Sequence, residues 1–172
     1  MIIGNKISLR LVTENDLQNL YNLISNLNNR GRYFPQTLMS EVDFKKKFYD
    51  TGFWTEDFGR LLIVDKQNRI IGSIYYFKIA IYSDALEIGY ILFDEHSRGK
   101  GYTTEALIML TNYLFSTKSI GRIQLRVSLD NEASKKVAIK AGFQFDGVRK
   151  AVLFLDGKHV DLEEYVKLRL HY

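Results

Sequence analysis

Apolar residues change their period several times along this chain, and each change marks an element. Ile7, Leu9 and Leu11 alternate with polar residues over 6–11, the period-two pattern of a half-buried strand. Thr13, with Asp16 three residues on, predicts a helix start, and Leu17, Leu20, Tyr21, Ile24 and Leu27 then recur at helical spacing. The run Asn28–Pro35 breaks that spacing and reads as a loop. A short helix follows from Ser40, with Phe44 and Phe48 one turn apart. Strand patterning then takes over at Leu61–Val64, at Ile70–Tyr82 after a turn at Asp65–Asn68, and at Leu86–Phe93 after a tight turn at Ser83–Ala85. Connections this short force the three strands to run antiparallel. Beyond a glycine-bearing loop at Ser97–Tyr102, Ala106, Leu107, Leu110 and Leu114 define a helix, and Arg122–Ser128 is a strand. A short helix opens at Asn131 and stops before Gly142. Two long alternating strands, Phe143–Leu155 and His159–Leu170, are joined by the hairpin pair Asp156-Gly157.

In the order β-α-α-β-β-β-α-β-α-β-β these segments predict an α/β (α+β) fold. A mixed central sheet of about seven strands is flanked by helices in one domain over 1–172. The chain length of 172 residues, 46% hydrophobic and 26% charged, agrees with one globular domain. Such a chain buries roughly 68–70% of its unfolded surface and needs no staple. Cysteine is absent, which excludes a disulfide framework, a thiolate zinc site and a cysteine nucleophile. His96, His159 and His171 lack ligand spacing, so no metal is expected. The net charge of +4 is spread without a basic block, and no nucleic-acid partner is expected. The N-terminal residues lack the features of a signal peptide, and no apolar run approaches the roughly 20 residues of a membrane span. The expectation is a cytoplasmic protein with no membrane partner, a monomer or homodimer.

The chemistry concentrates in Ile91–Ala106, which runs strand, loop, helix. A helix N-terminus offers unpaired N–H groups and the positive end of the dipole. Gly99 and Gly101 let an anion approach the backbone, and Arg98 and Lys100 add charge there, so the segment predicts a pyrophosphate site. It is not a Walker A loop, which needs GxxxxGK[ST]. Nor is it a Rossmann loop, since the third glycine is replaced by Thr104 and the loop follows an antiparallel meander.

Arg98-Gly-Lys-Gly101-Tyr-Thr103 resembles the acyl-CoA loop [QR]-x-x-G-x-[GA] of the GCN5-related N-acetyltransferases, matching at Arg98 and Gly101 and departing at Thr103. Glu87–Ile91 is similar to the family's splayed strand, and Asn131–Ser134 with Lys140–Phe143 to its next motif. The closing strands around Gly147 and Asp156-Gly157 resemble the ribosomal-protein N-terminal acetyltransferase type, so the likeness runs from Lys6 to Tyr172. It implies direct acetyl transfer from acetyl-CoA, as co-substrate, to a primary amine. Within that resemblance the pyrophosphate is held by backbone N–H groups of Arg98, Gly99, Lys100, Gly101, Tyr102 and Thr103. Pantetheine pairs with the strand edge at Leu92 and Phe93, and Asn131 is a pantetheine contact. A strand N–H polarises the thioester carbonyl as an oxyanion hole does.

Glu87 is the leading general base; as plain structure it is a charge on the solvated face of a strand. Ser134 matches a serine that the subfamily uses near the thiolate, or else simply sits in a helix opening capped by Asn131. The family's tyrosine acid has no counterpart, because Ala138 stands at its position. Leu153 likewise replaces a glutamate found in some ribosomal-type members. Tyr33, Phe34, Trp54 and Phe58 fall where the family builds its acceptor pocket, although aromatics in such loops more often serve as core or lid packing, and Pro35 marks the loop expected to border it. Asp161, Glu163 and Glu164 read as surface charge, and His96 as a solvent-facing neighbour of the loop. The acceptor implied is an α-amino group of a protein or peptide. The alternatives are a small-molecule amine, such as a polyamine or antibiotic, and a catalytically silent acyl-CoA-binding module. With no cysteine for an acetyl-enzyme, transfer is expected to be direct.

Overall fold

The computed structural model describes residues 1–169; Leu170, the expected end of the last strand, and His171 lie outside them. Its strands are β1 (Ile2–Ile3), β2 (Ser8–Leu11), β3 (Phe58–Val64), β4 (Ile70–Lys78), β5 (Leu86–Leu92), β6 (Arg122–Ser128), β7 (Gln144–Leu155) and β8 (Lys158–Leu168). They form one sheet in the order β1-β2-β3-β4-β5-β6-β8-β7. The eighth strand, β1, pairs with β2 over only two residues, too short a run for alternation to reveal. The helices are α1 (Leu17–Ser25), α2 (Leu27–Arg30), α3 (Glu41–Thr51), α4 (Tyr102–Thr117) and α5 (Glu132–Lys140).

The sheet buries both faces. Leu107, Leu110 and Leu114 of α4 and Ala138 of α5 pack on Ile74, Tyr76, Ile88 and Ile123. On the other face, Leu17 and Leu20 of α1 and Phe44 of α3 cover Leu62 and Val64. Two predicted boundaries move. The loop expected from Asn28 begins as the helical turn α2, whose amide at Asn28 is capped by the Asn26 side chain at 3.1 Å. The strand expected to reach Tyr82 ends at Lys78, and Ile81 and Tyr82 stand almost fully exposed in the connection to β5. Their apolar character carries no burial there.

One pair of neighbours breaks the antiparallel pattern. β5 and β6 run parallel and meet only at Leu86↔Ile123 and Glu87↔Gln124. Beyond Glu87, β5 stays on β4 as far as Gly72↔Leu92, while β6 stays on β8 from Arg122 to Ser128. The two halves of the sheet therefore part, and a wedge opens towards the N-termini of α4 and α5.

Arg10 of β2 ties the first helix to the sheet. It makes a two-pronged ion pair with Asp16, at 2.7 and 2.8 Å, and Asp16 also accepts from the Thr13 amide and hydroxyl at 2.8 and 2.7 Å. These donors, Arg10 foremost, hold the Asp16 carboxyl down at about 2. A carboxyl lowered by folding stabilises the fold at pH above its unfolded value of 3.8, and that stabilisation is lost as pH falls towards 2. Asp16→Asn is expected to cost about 2 kcal/mol at neutral pH. In urea denaturation the difference from the parent should shrink towards zero between pH 4 and pH 2.

Candidate active site

The loop before α4 presents its backbone to the wedge. Gly99 and Gly101 both lie in the left-handed region, at φ +75° and +82°. A Cβ on Gly99 would meet no atom within 4 Å, and one on Gly101 only Lys6 Nζ at 3.4 Å. The space over both glycines is thus open to an approaching anion. The amides of Gly99 to Thr103 find no backbone acceptor among the described residues. The Arg98 amide differs from expectation, because it donates to Glu95 O at 3.0 Å and is not available. The Arg98 guanidinium remains at the loop, paired with Glu95 at 3.0 Å and half exposed.

A further cation at this loop escaped the sequence pattern. Lys6 is held over the start of α4 by its amide, which donates to Glu105 Oε1 at 3.0 Å, and its ammonium donates to Lys100 O at 3.0 Å. The two segments are 94 residues apart, and nothing local in either announces the meeting. Lys136 and Lys140 of α5 line the same part of the wedge.

From this loop to the acceptor side, the wedge is one groove made of three cavities of about 260, 400 and 270 Å³. Leu92, Gly99 and Thr103 line the first and second; Tyr90, Asn131 and Ser134 line the second and third. The open backbone edge follows from strand alternation. Phe93 donates its amide back to Ile71 O at 3.0 Å, so the polar groups of Ile91 and Gly89 also point to β4. Those of Leu92, Tyr90 and Ile88 point outwards instead. The edge therefore belongs to Leu92 and Tyr90, not to Phe93, whose ring packs with the α1–α3 cluster.

At the apex stands Glu87. It is not on a solvated face: its side chain is 13% exposed, and Oε2 accepts from Gln124 Nε2 at 3.0 Å and pairs with Arg126 Nε at 3.3 Å. Burial pushes its carboxyl up, with Arg126 and Gln124 opposing. Two residues on, Gly89 is covered by Tyr75, whose hydroxyl lies 2.6 Å from where a Cβ would be. A side chain at Gly89 would therefore displace the Tyr75 ring that walls this side of the groove.

Ser134 and Asn131 flank the groove from α5. Asn131 Oδ1 accepts from the Ser134 amide at 3.1 Å, so that oxygen caps the helix and its amide group is left for other contacts. Of the four aromatic residues expected at the acceptor pocket, Tyr33 and Phe34 line it together with Pro35 and Leu153. Trp54 instead meets Tyr76 edge-on at 5.4 Å, and Phe58 packs with the α1–α3 cluster. His96 is exposed beside Lys100 and Asp94.

The acidic residues of β8 are not simple surface charge. Asp161 pairs with Lys150 at 2.7 Å, and Glu163 with Lys135 at 2.8 Å. Glu164 is only 1% exposed and lies within 3.5 Å of Arg122, Arg126 and Arg149. Arg126 thus bridges two carboxylates, Glu164 behind it and Glu87 before it. Alternation along 159–168 had placed Glu164 on one face without showing that β6 and β7 bring arginines to it.

Comparison with known proteins agrees with this geometry. The model of the acetyltransferase (GNAT) domain family matches residues 6–144. A ribosomal-protein-serine acetyltransferase of Escherichia coli (strain K12) is 26% identical over 170 residues, covering 96% of this chain and 94% of the relative. The fold is shared with a ribosomal L7/L12 α-N-protein acetyltransferase solved with coenzyme A, at a TM-score of 0.82, 24% identity and 96% coverage of both chains. It is equally shared with a Vibrio cholerae spermidine N-acetyltransferase solved with CoA and spermine, at a TM-score of 0.82, 20% identity and 96% coverage of both.

The cluster around Glu164 holds β6, β7 and β8 in place behind Arg126. Removing one partner of a buried ion cluster leaves the others uncompensated. Glu164→Gln is expected to destabilise the protein by about 3 kcal/mol in chemical denaturation. The arginines hold the Glu164 carboxyl below its ordinary range, so the deficit should be full at neutral pH and fade on acidification.

Proposed function

Since the chain belongs to the GNAT acetyltransferase family and is an acetyl-CoA-dependent N-acetyltransferase, we propose that its acceptor is the α-amino group of a protein or peptide. The observation that carries this reading is the charge of the groove. Among the described residues lining its three cavities, Glu87 is the one carboxylate, and it is shared with Arg126. Around it lie Tyr33, Phe34, Tyr75, Phe77 and Leu153. One half-neutralised carboxylate among apolar walls suits a single amine with ordinary side chains beside it. A polyamine carries several cations and calls for several unpaired carboxylates along its length.

In this reading the diphosphate of acetyl-CoA lies on the amides of Gly99, Lys100, Gly101, Tyr102 and Thr103, with Arg98, Lys100 and Lys6 supplying charge. Pantetheine adds to the sheet along Leu92 and Tyr90, much as a strand would, with Asn131 across the groove. An N–H of that edge polarises the thioester carbonyl. Glu87 takes the proton of the attacking amine, directly or through water. The nitrogen–carbon bond forms, the carbon–sulphur bond breaks, and its electron pair goes to sulphur.

Thiol release from acetyl-CoA, followed with a panel of peptides, polyamines and small amines, tests the acceptor. Peptide α-amines are expected to give the highest kcat/KM. A higher value for spermidine would overturn the assignment, and saturable CoA binding without turnover on any amine would leave a silent binding module. Glu87→Gln should lower kcat/KM about 100-fold. Because burial raises the Glu87 carboxyl, the acid limb of the parent pH profile should lie above the ordinary glutamate value of 4.5 and vanish in the variant. The loop has its own test in CoA titration calorimetry. Gly101→Val, which fills the approach and strains a positive φ by about 1–3 kcal/mol, should weaken CoA binding at least about tenfold while the protein stays folded.

A further inference from the structure

Strand parity sends Glu87 and Tyr90 to opposite faces of β5. Tyr90 shares the face of Ile88 and Leu92 and packs against the cluster beneath α4 and α5. Its hydroxyl is buried and, among the described residues, has no partner at hydrogen-bond geometry. Ser134 lines the same two cavities of the groove as Tyr90, and its hydroxyl draws the phenol down against the larger effect of burial. A buried hydroxyl left unpaired is costly, so this phenol needs an acceptor. Burial also keeps its proton in place, pushing the phenol up to about 12.

Those constraints give the pair a direction. If Ser134 donated to Tyr90, the phenol proton would still have no acceptor. If Tyr90 donates to Ser134 Oγ, its proton is satisfied and the serine proton is free to point into the groove. Ser134 sits in the first turn of α5, where unpaired amides and the helix dipole favour negative charge.

We propose that Tyr90 is a positioning residue for the leaving thiolate: its O–H donates to Ser134 Oγ and turns the serine proton towards the sulphur of CoA. This rests on the acetyl-CoA reading of the groove. As the carbon–sulphur bond breaks, the electron pair passes to sulphur, which accepts the Ser134 hydrogen bond. Neither hydroxyl gives up its proton, and the thiolate is protonated by solvent on release. The arrangement takes the place of the tyrosine acid that Ala138 cannot supply.

Calorimetric titration with CoA and with desulfo-CoA, compared between about pH 7 and about pH 10 as the thiol ionises, isolates the contact to sulphur. The parent is expected to prefer CoA, and Ser134→Ala to reduce that preference about tenfold. Tyr90→Phe should reduce it about fivefold and lower kcat to a similar extent, with KM for acetyl-CoA unchanged. The double variant should match Ser134→Ala alone, since Tyr90 acts through the serine. A Tyr90→Phe variant that weakens both ligands equally, or leaves both kcat and the CoA preference intact, overturns the proposal. So does additivity in the double variant. If Tyr90→Phe does not fold, Ser134→Ala decides, and an unchanged preference overturns the inference. Absence of CoA binding by the parent would instead bring down the reading of the groove itself.

Discussion

The parting of β5 from β6 is the constraint on which the rest of the site depends. Two parallel pairs join the strands, and then each follows its other neighbour: β5 stays on β4, and β6 pairs with β8 along its whole length. The consequence is a row of backbone N–H and C=O groups, at Tyr90 and Leu92, without a strand beside them in the middle of a sheet. An open edge is a hazard wherever it lies on a protein surface. Here it is walled by α5 and by the loop at Tyr33–Pro35, so that only a slender chain with amides of its own fits between. The same opening leads past the first turns of two helices, α4 at one end and α5 alongside, both of which favour negative charge.

Strand parity then sorts the chemistry. Residues of β5 alternate between faces, so a base at Glu87 and a hydroxyl at Tyr90 are three positions apart yet project to opposite sides of the gap. In the proposed reaction, proton acceptance falls to the side walled by Tyr75 and Phe77, and leaving-group stabilisation to the side beneath α5. No residue has to serve both needs, and each environment is tuned apart from the other. Glu87 is raised by burial but opposed by the charged Arg126 and by Gln124, whereas at Tyr90 burial is opposed only by the neutral Ser134 hydroxyl and the phenol is pushed up to about 12.

Much of this was legible in the linear sequence because it is local. The strand at Arg122–Ser128, the helix opened by Asn131, the hairpin at Asp156-Gly157 and the glycine loop each depend on residues a few positions apart. The contacts that complete the site are not local. Lys6 reaches the loop across 94 residues, and Arg126 is aimed by a glutamate 38 residues downstream. Phe93 shows a subtler failure. Its place at the end of the strand was clear, but which edge its amide faces depends on the β4 register, which no pattern in 86–93 contains. Trp54 and Phe58 could not be told from pocket residues for a related reason: an aromatic side chain packs as well in a core, where both lie, as in a pocket, and composition does not separate the two.

Net charge changes meaning once the side chains are placed. Arg122, Arg126 and Arg149 are gathered around Glu164, and Lys150 and Lys135 are matched by Asp161 and Glu163, so the β6–β8 end of the groove is close to neutral. At the other end Lys6, Lys100, Lys136 and Lys140 have no carboxylate within ion-pair distance among the described residues, and Arg98 meets only an exposed Glu95. These unpaired lysines therefore make a local positive field at the mouth between α4 and α5, which the chain's net charge of +4 does not by itself reveal. Such a field raises the encounter rate of an anion at that end and leaves the acceptor end without strong attraction for a polycation. Since it acts through exposed lysines, salt screens it over about 8–10 Å. The Arg126–Glu87 pair, whose carboxylate is largely enclosed, is screened less. Ionic strength thus separates capture of an anionic substrate from the proposed proton transfer at the apex, two steps that one groove would otherwise bind together.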